Sequence, residues 1–262
     1  MKEKVDNCLS TLFHDIQDSG LNTRVIMVDN GSDDGIEEMI KEKYPDVKFV
    51  GHEKNLGFAK AQNSGLREVD AKYHLVLNPD TLIPEGQAVL KKMHCFMEEN
   101  KGVGMIGPKI IYPDGSLQHS CFRFPKFLQP VYSRTRLGKI GNGKRTSDYF
   151  FMRDFDHEET IPVDWVMGAA MFVRNEAMQD VGLFDEKFWM YAEDSDWCRR
   201  MWEKNWQVHY VHDIVVQHEH GRGSARVQGI AKALIKNKLA RAHLKSWLRF
   251  MWKWRRTHKY YS

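Results

Sequence analysis

Residues 188–200, FWMYAEDSDWCRR, place three acids within four positions, Glu193, Asp194 and Asp196, between aromatic side chains. Trp197 and Met201 follow four apart, as do Cys198 and Trp202, so the acids fall in the first turn of a helix. Unpaired N–H groups and the helix dipole favour negative charge there. A carboxylate held ionised on a rigid element, walled by Trp189, Tyr191 and Trp197, can take a proton as a general base. The same acids also suit a plain helix cap.

A second set of oxygen-rich residues lies in two loops. Asn78 and Asp80 stand two apart in NPD and can turn oxygens to one side, where a hard cation shared with substrate phosphates would sit. An Asx turn leaving a strand is the competing use of that tripeptide. Asp29, Asn30, Gly31 and Ser32 form the other loop. Late in the chain, QHEHGRGS sets His218 and His220 two apart; a surface pair of this kind is more often incidental than a site.

The elements that must hold these groups alternate. A short helix over residues 5–13 precedes a buried-strand run, TRVIMVD, over residues 23–29. A helix over 36–44 stops before Pro45, and a strand covers 47–50. Residues 55–67, NLGFAKAQNSGLR, read as a helix entered through glycine, and 73–77 as a strand running into NPD. Strands alternating with helices argue for an α/β fold with a mostly parallel sheet covered on both faces. Ligands in such sheets lie beyond the carboxyl ends of the strands, which puts the 29–32 and 78–80 loops on one crevice. Neither loop is glycine-rich in the manner of a Walker or dinucleotide fingerprint, and the chain contains neither motif.

Downstream, a helix is predicted over 84–99 and a long loop over 122–156, able to order over a ligand. Gly168, Ala169 and Ala170 inside an apolar strand pattern suggest a close backbone approach to a ligand or another strand. A last strand covers 206–216 and ends at the histidines.

Composition narrows the setting. With 262 residues, 42% hydrophobic, the chain can bury a large core. The four cysteines are scattered without a C-x-x-C pair, which fits a reducing cytosol and suggests neither zinc nor disulfides. No run of about eighteen apolar residues is present to span a membrane. The net charge of +4 conceals an asymmetry: residues 220–262 carry twelve Lys or Arg and no acid. From about Ala225 the pattern is one cationic helix, with Leu244, Trp247, Leu248, Met251 and Trp254 at 3–4 spacing. The expected arrangement is a body, residues 1–224, and a cationic helix, residues 225–262, that lies on an anionic membrane at the cytoplasmic face. Docking onto its own body is the rival. Nucleic acid is not expected, since no RNA-recognition motif accompanies the charge.

In order, the segments VDNGSDD, NLGFAKAQNSG, LNPD, DWVMGAAMFVRNEAMQDVGLFDEKFWMYAEDSDWCRR and VVQHEHGRGS resemble the inverting family 2 glycosyltransferases of the GT-A fold. The similarity is greatest to the rhamnosyltransferase-like branch and covers nearly the whole chain. It implies a Rossmann-like sheet flanked by helices and a nucleotide-sugar donor, dTDP-rhamnose-like or a UDP-sugar. It also implies a saccharide or lipid-linked acceptor in cell-surface polysaccharide synthesis, and Mg²⁺ or Mn²⁺ as cofactor. Asp29, Asn30 and Ser32 would hold the nucleotide, with Asn55, Gly57, Phe58, Asn63 and Gly168 helping. Asn78-Pro79-Asp80 stands where the family has D-x-D, so Asp80, with the late His218, would hold the metal. Asp194 would be the base, Asp196 its alternate, and Glu193 would orient the acceptor. The family's chains open with an apolar strand, whereas this sequence starts just ahead of the helix that Asn7–Leu12 resembles. The sheet is therefore expected to lack that strand, with its flanking strands closing up if the fold is to persist. A catalytically inactive scaffold at the membrane is the alternative this departure raises.

Overall fold

The computed structural model describes residues 1–219 and 237–256. The chain opens on α1 (Lys2–Ser19), longer than the predicted helix at both ends. Val5, Cys8, Leu9 and Leu12 recur at 3–4 spacing, and the first three are buried. Gly20, in the left-handed conformation at φ 66°, ends it. Strands β1 (Ile26–Asp29) and β2 (Lys48–Gly51) pair in parallel across α2 (Ile36–Lys43). Together with α1 they enclose a small core of Val5, Leu9, Ile36, Met39, Ile40 and Val47.

Helix α3 (Phe58–Leu66) leads to β3 (Tyr73–Leu77), and β4 (Thr81–Leu82) follows at once. Helix α4 (Val89–Glu99) starts at Ala88, whose own side chain cannot cap it. The cap comes from α1 instead: buried Asp15 accepts from the Val89 and Leu90 N–H groups at 2.8 Å each. This places a carboxylate at the positive end of α4 and ties the first helix to the larger core.

That core surrounds a seven-stranded sheet. Its main path runs β3, β10 (Ala170–Arg174), β5 (Val103–Ile111), β11 (Gln207–His218) and β4, with β6 (Leu117–Gln118) and β8 (Ile161–Pro162) added at the sides. The sheet is mixed, which differs from the mostly parallel expectation. Strand β10 returns between β3 and β5 and runs antiparallel to both, while β11 is parallel to β5. Periodicity reports which faces are buried and carries nothing about strand direction. Residues from all of β10 are buried, as the apolar run predicts for a central strand.

The 122–156 region departs from its prediction as a loop. It holds α5 (Gln129–Arg134), a 3₁₀ turn (Arg136–Lys139) and α6 (Gly141–Phe150). Two more short strands, β7 (Cys121–Phe122) and β9 (Trp165–Val166), pair beside it. Between β10 and β11 lie α7 (Asn175–Val181) and α8 (Glu193–Glu203). The last described element is α9 (Lys238–Lys253), capped by the Asn237 side chain on the Leu239 and Ala240 N–H groups. Residues 225–236 and 257–262 of the predicted cationic helix, and His220, lie outside the described residues.

The strands β1 and β3 do not close up. Strand β1 pairs with β2 and β3 with β10, and a cavity of about 650 Å³ separates them. Ile26 and Val28 line one side and Leu75 and Leu77 the other, with Leu9 of α1 and Leu66 of α3 also contributing.

Candidate active site

The acids predicted to open a helix do so: Glu193 is the first residue of α8. The turn before it is strained, since Tyr191 and Ala192 take φ values of 70° and 65°, a conformation unfavourable for residues with a side chain. Such strain persists only where surrounding contacts fix it. Several do so: Ser246 donates to the Met190 carbonyl at 2.8 Å, the Tyr191 and His243 rings meet at 4.8 Å, and Arg249 donates to the Lys187 carbonyl. On the opposite side, the Phe58 N–H donates to the Trp189 carbonyl at 2.7 Å.

Asp194 is half-buried and accepts from the Ser195 N–H at 2.8 Å and the Gly168 N–H at 3.2 Å. Burial raises its pKa above the usual aspartate value, and the two N–H donors offset part of that rise. Glu193 is 6% exposed and its Oε2 has no hydrogen-bond partner. Burial, and next the charge of Asp194, push its carboxyl well above the usual glutamate range. The environment thus divides the pair: Glu193 holds the proton more readily, and Asp194 is the one stabilised as a carboxylate.

Asp196 is fully buried and differs from its neighbours. Arg200 Nε reaches its Oδ2 at 3.0 Å, Trp254 Nε1 its Oδ1 at 3.0 Å, and Lys253 Nζ lies 2.8 Å from Oδ1. Its oxygens are therefore committed to fixing α9 against α8, and the geometry gives it no opening for the alternate-base role. Lys253 also pairs with Asp185 at 2.9 Å. The C-terminal helix is thus docked on its own body, with Ala240, Ser246 and Phe250 buried. That is the rival arrangement named for it.

At the carboxyl end of β1, the Asn30 side chain stitches two loops together. Its oxygen accepts from the Leu56 N–H at 2.8 Å, and its amide reaches the Gly57 carbonyl at 3.3 Å and Asn55 Oδ1 at 3.4 Å. Asn55 Oδ1 in turn accepts from the Gly57 N–H at 2.9 Å. Asp29 accepts from the Ser32 N–H and hydroxyl, the latter at 2.6 Å. Gly57 has φ 91°, and a Cβ there would meet the Trp189 carbonyl oxygen at 2.2 Å. Gly31, at φ 79°, is pressed against Lys54 in the same way. Gly168 is different: a Cβ would find Phe58 at 3.5 Å and Asp194 at 3.6 Å, ordinary contacts. Its N–H goes to Asp194, and the neighbouring Ala169 and Ala170 backbone approaches another strand, pairing with Asn78 and Leu77. Asn63 also departs from expectation. It is 1% exposed, and its amide group spans the Phe184 carbonyl and N–H at 2.9 and 3.0 Å. These bonds brace the 184–186 loop and leave the side chain none for a nucleotide.

Asp80 and His218, 138 residues apart in sequence, come together with Oδ1 and Nε2 at 3.3 Å. His218 Nδ1 lies 2.8 Å from Gln118 Oε1, which fixes the ring and directs Nε2 at the carboxylate. Desolvation acts to raise the Asp80 carboxyl, and the hydrogen bond and charge of His218 outweigh it and hold the value low. Gln118 carried no signal in the sequence. One carboxylate and one imidazole, oriented from behind, form a donor set suited to a divalent ion. Among the described residues no cluster of three His, Cys, Asp or Glu could complete a cage. Remaining ligands would come from solvent or substrate.

The pairing of β3 with β10 joins these parts. Leu77 opposes Ala170, and the Asn78 N–H donates to the Ala169 carbonyl at 2.9 Å. The NPD loop thus abuts the turn whose Gly168 N–H holds Asp194, and the Glu219 N–H donates to the Asp80 carbonyl from β11. Asp194 and the Asp80–His218 pair are thus linked through consecutive backbone bonds, and the Phe58 ring at the start of α3 meets Phe184 at 5.9 Å.

Residues 2–161 match the family described as "Glycosyl transferase family 2", and the chain belongs to that family. It is a glycosyltransferase with the rhamnosyltransferase-like character that the order of its motifs suggested. It is 28% identical over 213 residues to the N-acetylglucosaminyl-diphospho-decaprenol L-rhamnosyltransferase of Mycobacterium tuberculosis, covering 77% of this chain and 68% of that one. It is 25% identical to the dTDP-rhamnosyl transferase RfbF of Shigella flexneri, over 80% of this chain and 64% of that one. Rhamnosyltransferase WbbL of Escherichia coli is 24% identical, over 94% and 88%. Among solved structures, GalNAc-T7 with UDP, GalNAc and Mn²⁺ superposes with a TM-score of 0.58 at 15% identity, over 80% of this chain and 41% of that chain. The Pyrobaculum calidifontis mannosyltransferase PcManGT with GDP-Man and Mn²⁺ superposes at 0.56 and 17%, over 99% and 73%. These likenesses establish the α/β fold with a central sheet between helices.

Proposed function

We propose that this glycosyltransferase moves a deoxyhexose such as rhamnose from a nucleoside-diphosphate donor to a saccharide or lipid-linked acceptor, inverting the anomeric centre, in cell-surface polysaccharide synthesis. The observation that supports the reading is the Gly168 N–H bond to Asp194 beside the Asn78–Ala169 bond, which brings the Asp194 turn next to the loop that carries Asp80. An acceptor hydroxyl is too weakly acidic to attack unaided. Asp194 takes its proton as the new bond forms, a contribution of roughly 10² to 10⁴ in rate. The Ser195 and Gly168 N–H groups keep Asp194 aimed, and the Asn30–Asn55–Gly57 lattice preorganises the donor loops. Asp80 and His218 would hold a divalent cation, Mg²⁺ or Mn²⁺, which when bound offsets charge on the departing diphosphate. Glu193, its carboxyl pushed up by burial and by the neighbouring Asp194, would orient the acceptor. No side chain need become a covalent nucleophile.

The names of the relatives support the donor and acceptor classes, since those proteins are described as acting on dTDP-rhamnose or on a diphospho-decaprenol acceptor. Peripheral attachment to the cytoplasmic face of a membrane belongs to the same reading, and no helix among the described residues is long and apolar enough to cross one. The body, residues 1–224, and the cationic segment, residues 225–262, are the two parts it uses. One observation favours a binding-only scaffold instead: the cavity between β1 and β3 interrupts the sheet directly behind the Asp29–Ser32 loop. Titration calorimetry with dTDP and with UDP, each with Mn²⁺ or Mg²⁺, separates the two. Saturable, metal-dependent binding is expected for the transferase, and its absence would leave the scaffold.

A further inference from the structure

Eight large apolar side chains are exposed among the described residues, and all but Met1 fall in two segments. Phe127, Leu128, Val131, Leu137 and Ile140 lie in and around α5, and Leu248 and Trp252 lie on α9. The segments touch: Phe127 meets Trp247 at 5.2 Å and Phe124 meets Phe250 at 6.4 Å. A groove of about 1020 Å³ runs between them, with Lys126, Arg249 and Arg255 on its walls. Charge follows the same division. Residues 115–147 contain seven Lys or Arg and residues 220–262 twelve, and neither stretch contains an acid. Exposed apolar side chains gathered in two touching segments and set among cations make a surface a monomeric protein avoids unless something covers it.

We infer that residues 126–140 form, with α9, a composite face that docks on an anionic lipid bilayer, the loop side chains inserting and the helix supplying charge. The docked position of α9 argues for this division. Its buried residues face the body and its attachments to Asp185 and Asp196 are made, so the helix alone offers Leu248 and Trp252 to an apolar phase. The loop offers more, with Phe127 59% and Ile140 65% exposed. Amphipathic surfaces of this kind hold to a membrane by buried apolar area and by attraction to anionic lipid together. A bilayer satisfies both halves at once, whereas a nucleic acid would leave the apolar half unmet. Because α9 also buttresses residues 187–192 through Ser246 and Arg249, the face would hold the Asp194 edge at a fixed attitude to the bilayer. This rests on the lipid-linked acceptor named above only for its purpose; the binding itself is independent of it.

Flotation of the full chain with phosphatidylcholine vesicles, with and without phosphatidylglycerol, at low and high salt, tests the inference. Wild type should float with anionic vesicles and retain a salt-resistant fraction. Leu137→Ser with Ile140→Ser, both more than half exposed and therefore expected to leave the thermal midpoint unchanged, should lower vesicle affinity by about tenfold or more and remove that fraction. Arg241→Gln with Lys245→Gln should instead weaken binding at low salt and spare it at high salt. Equal flotation of the loop variant and wild type overturns the inference, as does a wild type that stays in solution and sediments as a dimer through this face. Nucleotide binding measured without vesicles would be unaffected by either failure, so the transferase reading is judged separately.

Discussion

Asp194 and Glu193 are adjacent in sequence and both are pushed up by burial, Glu193 the further, and that difference is set by what each oxygen meets. Asp194 has two N–H donors, whereas Glu193 Oε2 has none. Replacing Asp194 by Asn should cut transfer by roughly 10² to 10⁴ while leaving the nucleotide Kd unchanged, measured by product formation alongside calorimetry. A loss of donor affinity in the same variant would remove Asp194 from the base role. The pH dependence follows from the direction of the shift. A base works deprotonated, and burial raises Asp194 above the ordinary 3.8, so the acid limb of kcat/KM should lie above that value. Glu193 has a stability consequence of its own. Its folded pKa is raised above the unfolded 4.5, so its contribution is full below that pH and lost as pH rises towards the folded value. Glu193→Gln should therefore gain thermal stability relative to wild type as pH increases, read by calorimetric midpoints at several pH values; a constant difference would mean the carboxyl titrates normally in the fold.

At the scale of elements, the crevice depends on backbone packing that leaves no room for a β-carbon. Gly57 sits at the entry of α3 with the Trp189 carbonyl against it, so Gly57→Ala must displace the 187–192 turn or the donor loop. The expected outcome is about 1–3 kcal/mol of lost stability together with weaker nucleotide binding, measured by denaturation and calorimetry. Gly168→Ala, where a Cβ meets only ordinary contacts, should be tolerated by the fold, and equal damage from both would refute the steric argument. These two glycines also mark what was legible beforehand. The acids of α8, the NPD loop and the pairing of Asp80 with a late histidine could be found from residue types and motif order. The uses of Asn63 and Asp196 could not, because both are conventional polar residues whose partners, Phe184, Trp254 and Lys253, come from distant segments. Strand direction in β10 was equally silent, since an apolar run is the same in either sense. The helices within 122–156 lacked a clear apolar period, and several of their apolar residues are in fact exposed.

The molecule divides unevenly. Strands β1 and β2, with α2 and part of α1, have a core of their own, and the 650 Å³ cavity separates β1 from β3. The docking of α9, by contrast, welds that helix to α8 and the main core through Asp196. The loops proposed to receive the nucleotide therefore hang largely on the smaller unit, and the base and ion pair on the larger. Units with cores of their own can open by separate fluctuations, each with its own free energy. Amide hydrogen exchange should show β1 and β2 exchanging through a cheaper opening than β5 and β11. A ligand that grips both units removes that independence, because opening either one would then forfeit its binding energy. Donor with metal should slow exchange in Ile26–Asp29 and Lys48–Gly51 far more than in Val103–Ile111; uniform slowing would mean the chain already opens as one. The gap between β1 and β3 would then act as a joint, and the donor as the pin that makes the two halves a single cooperative body.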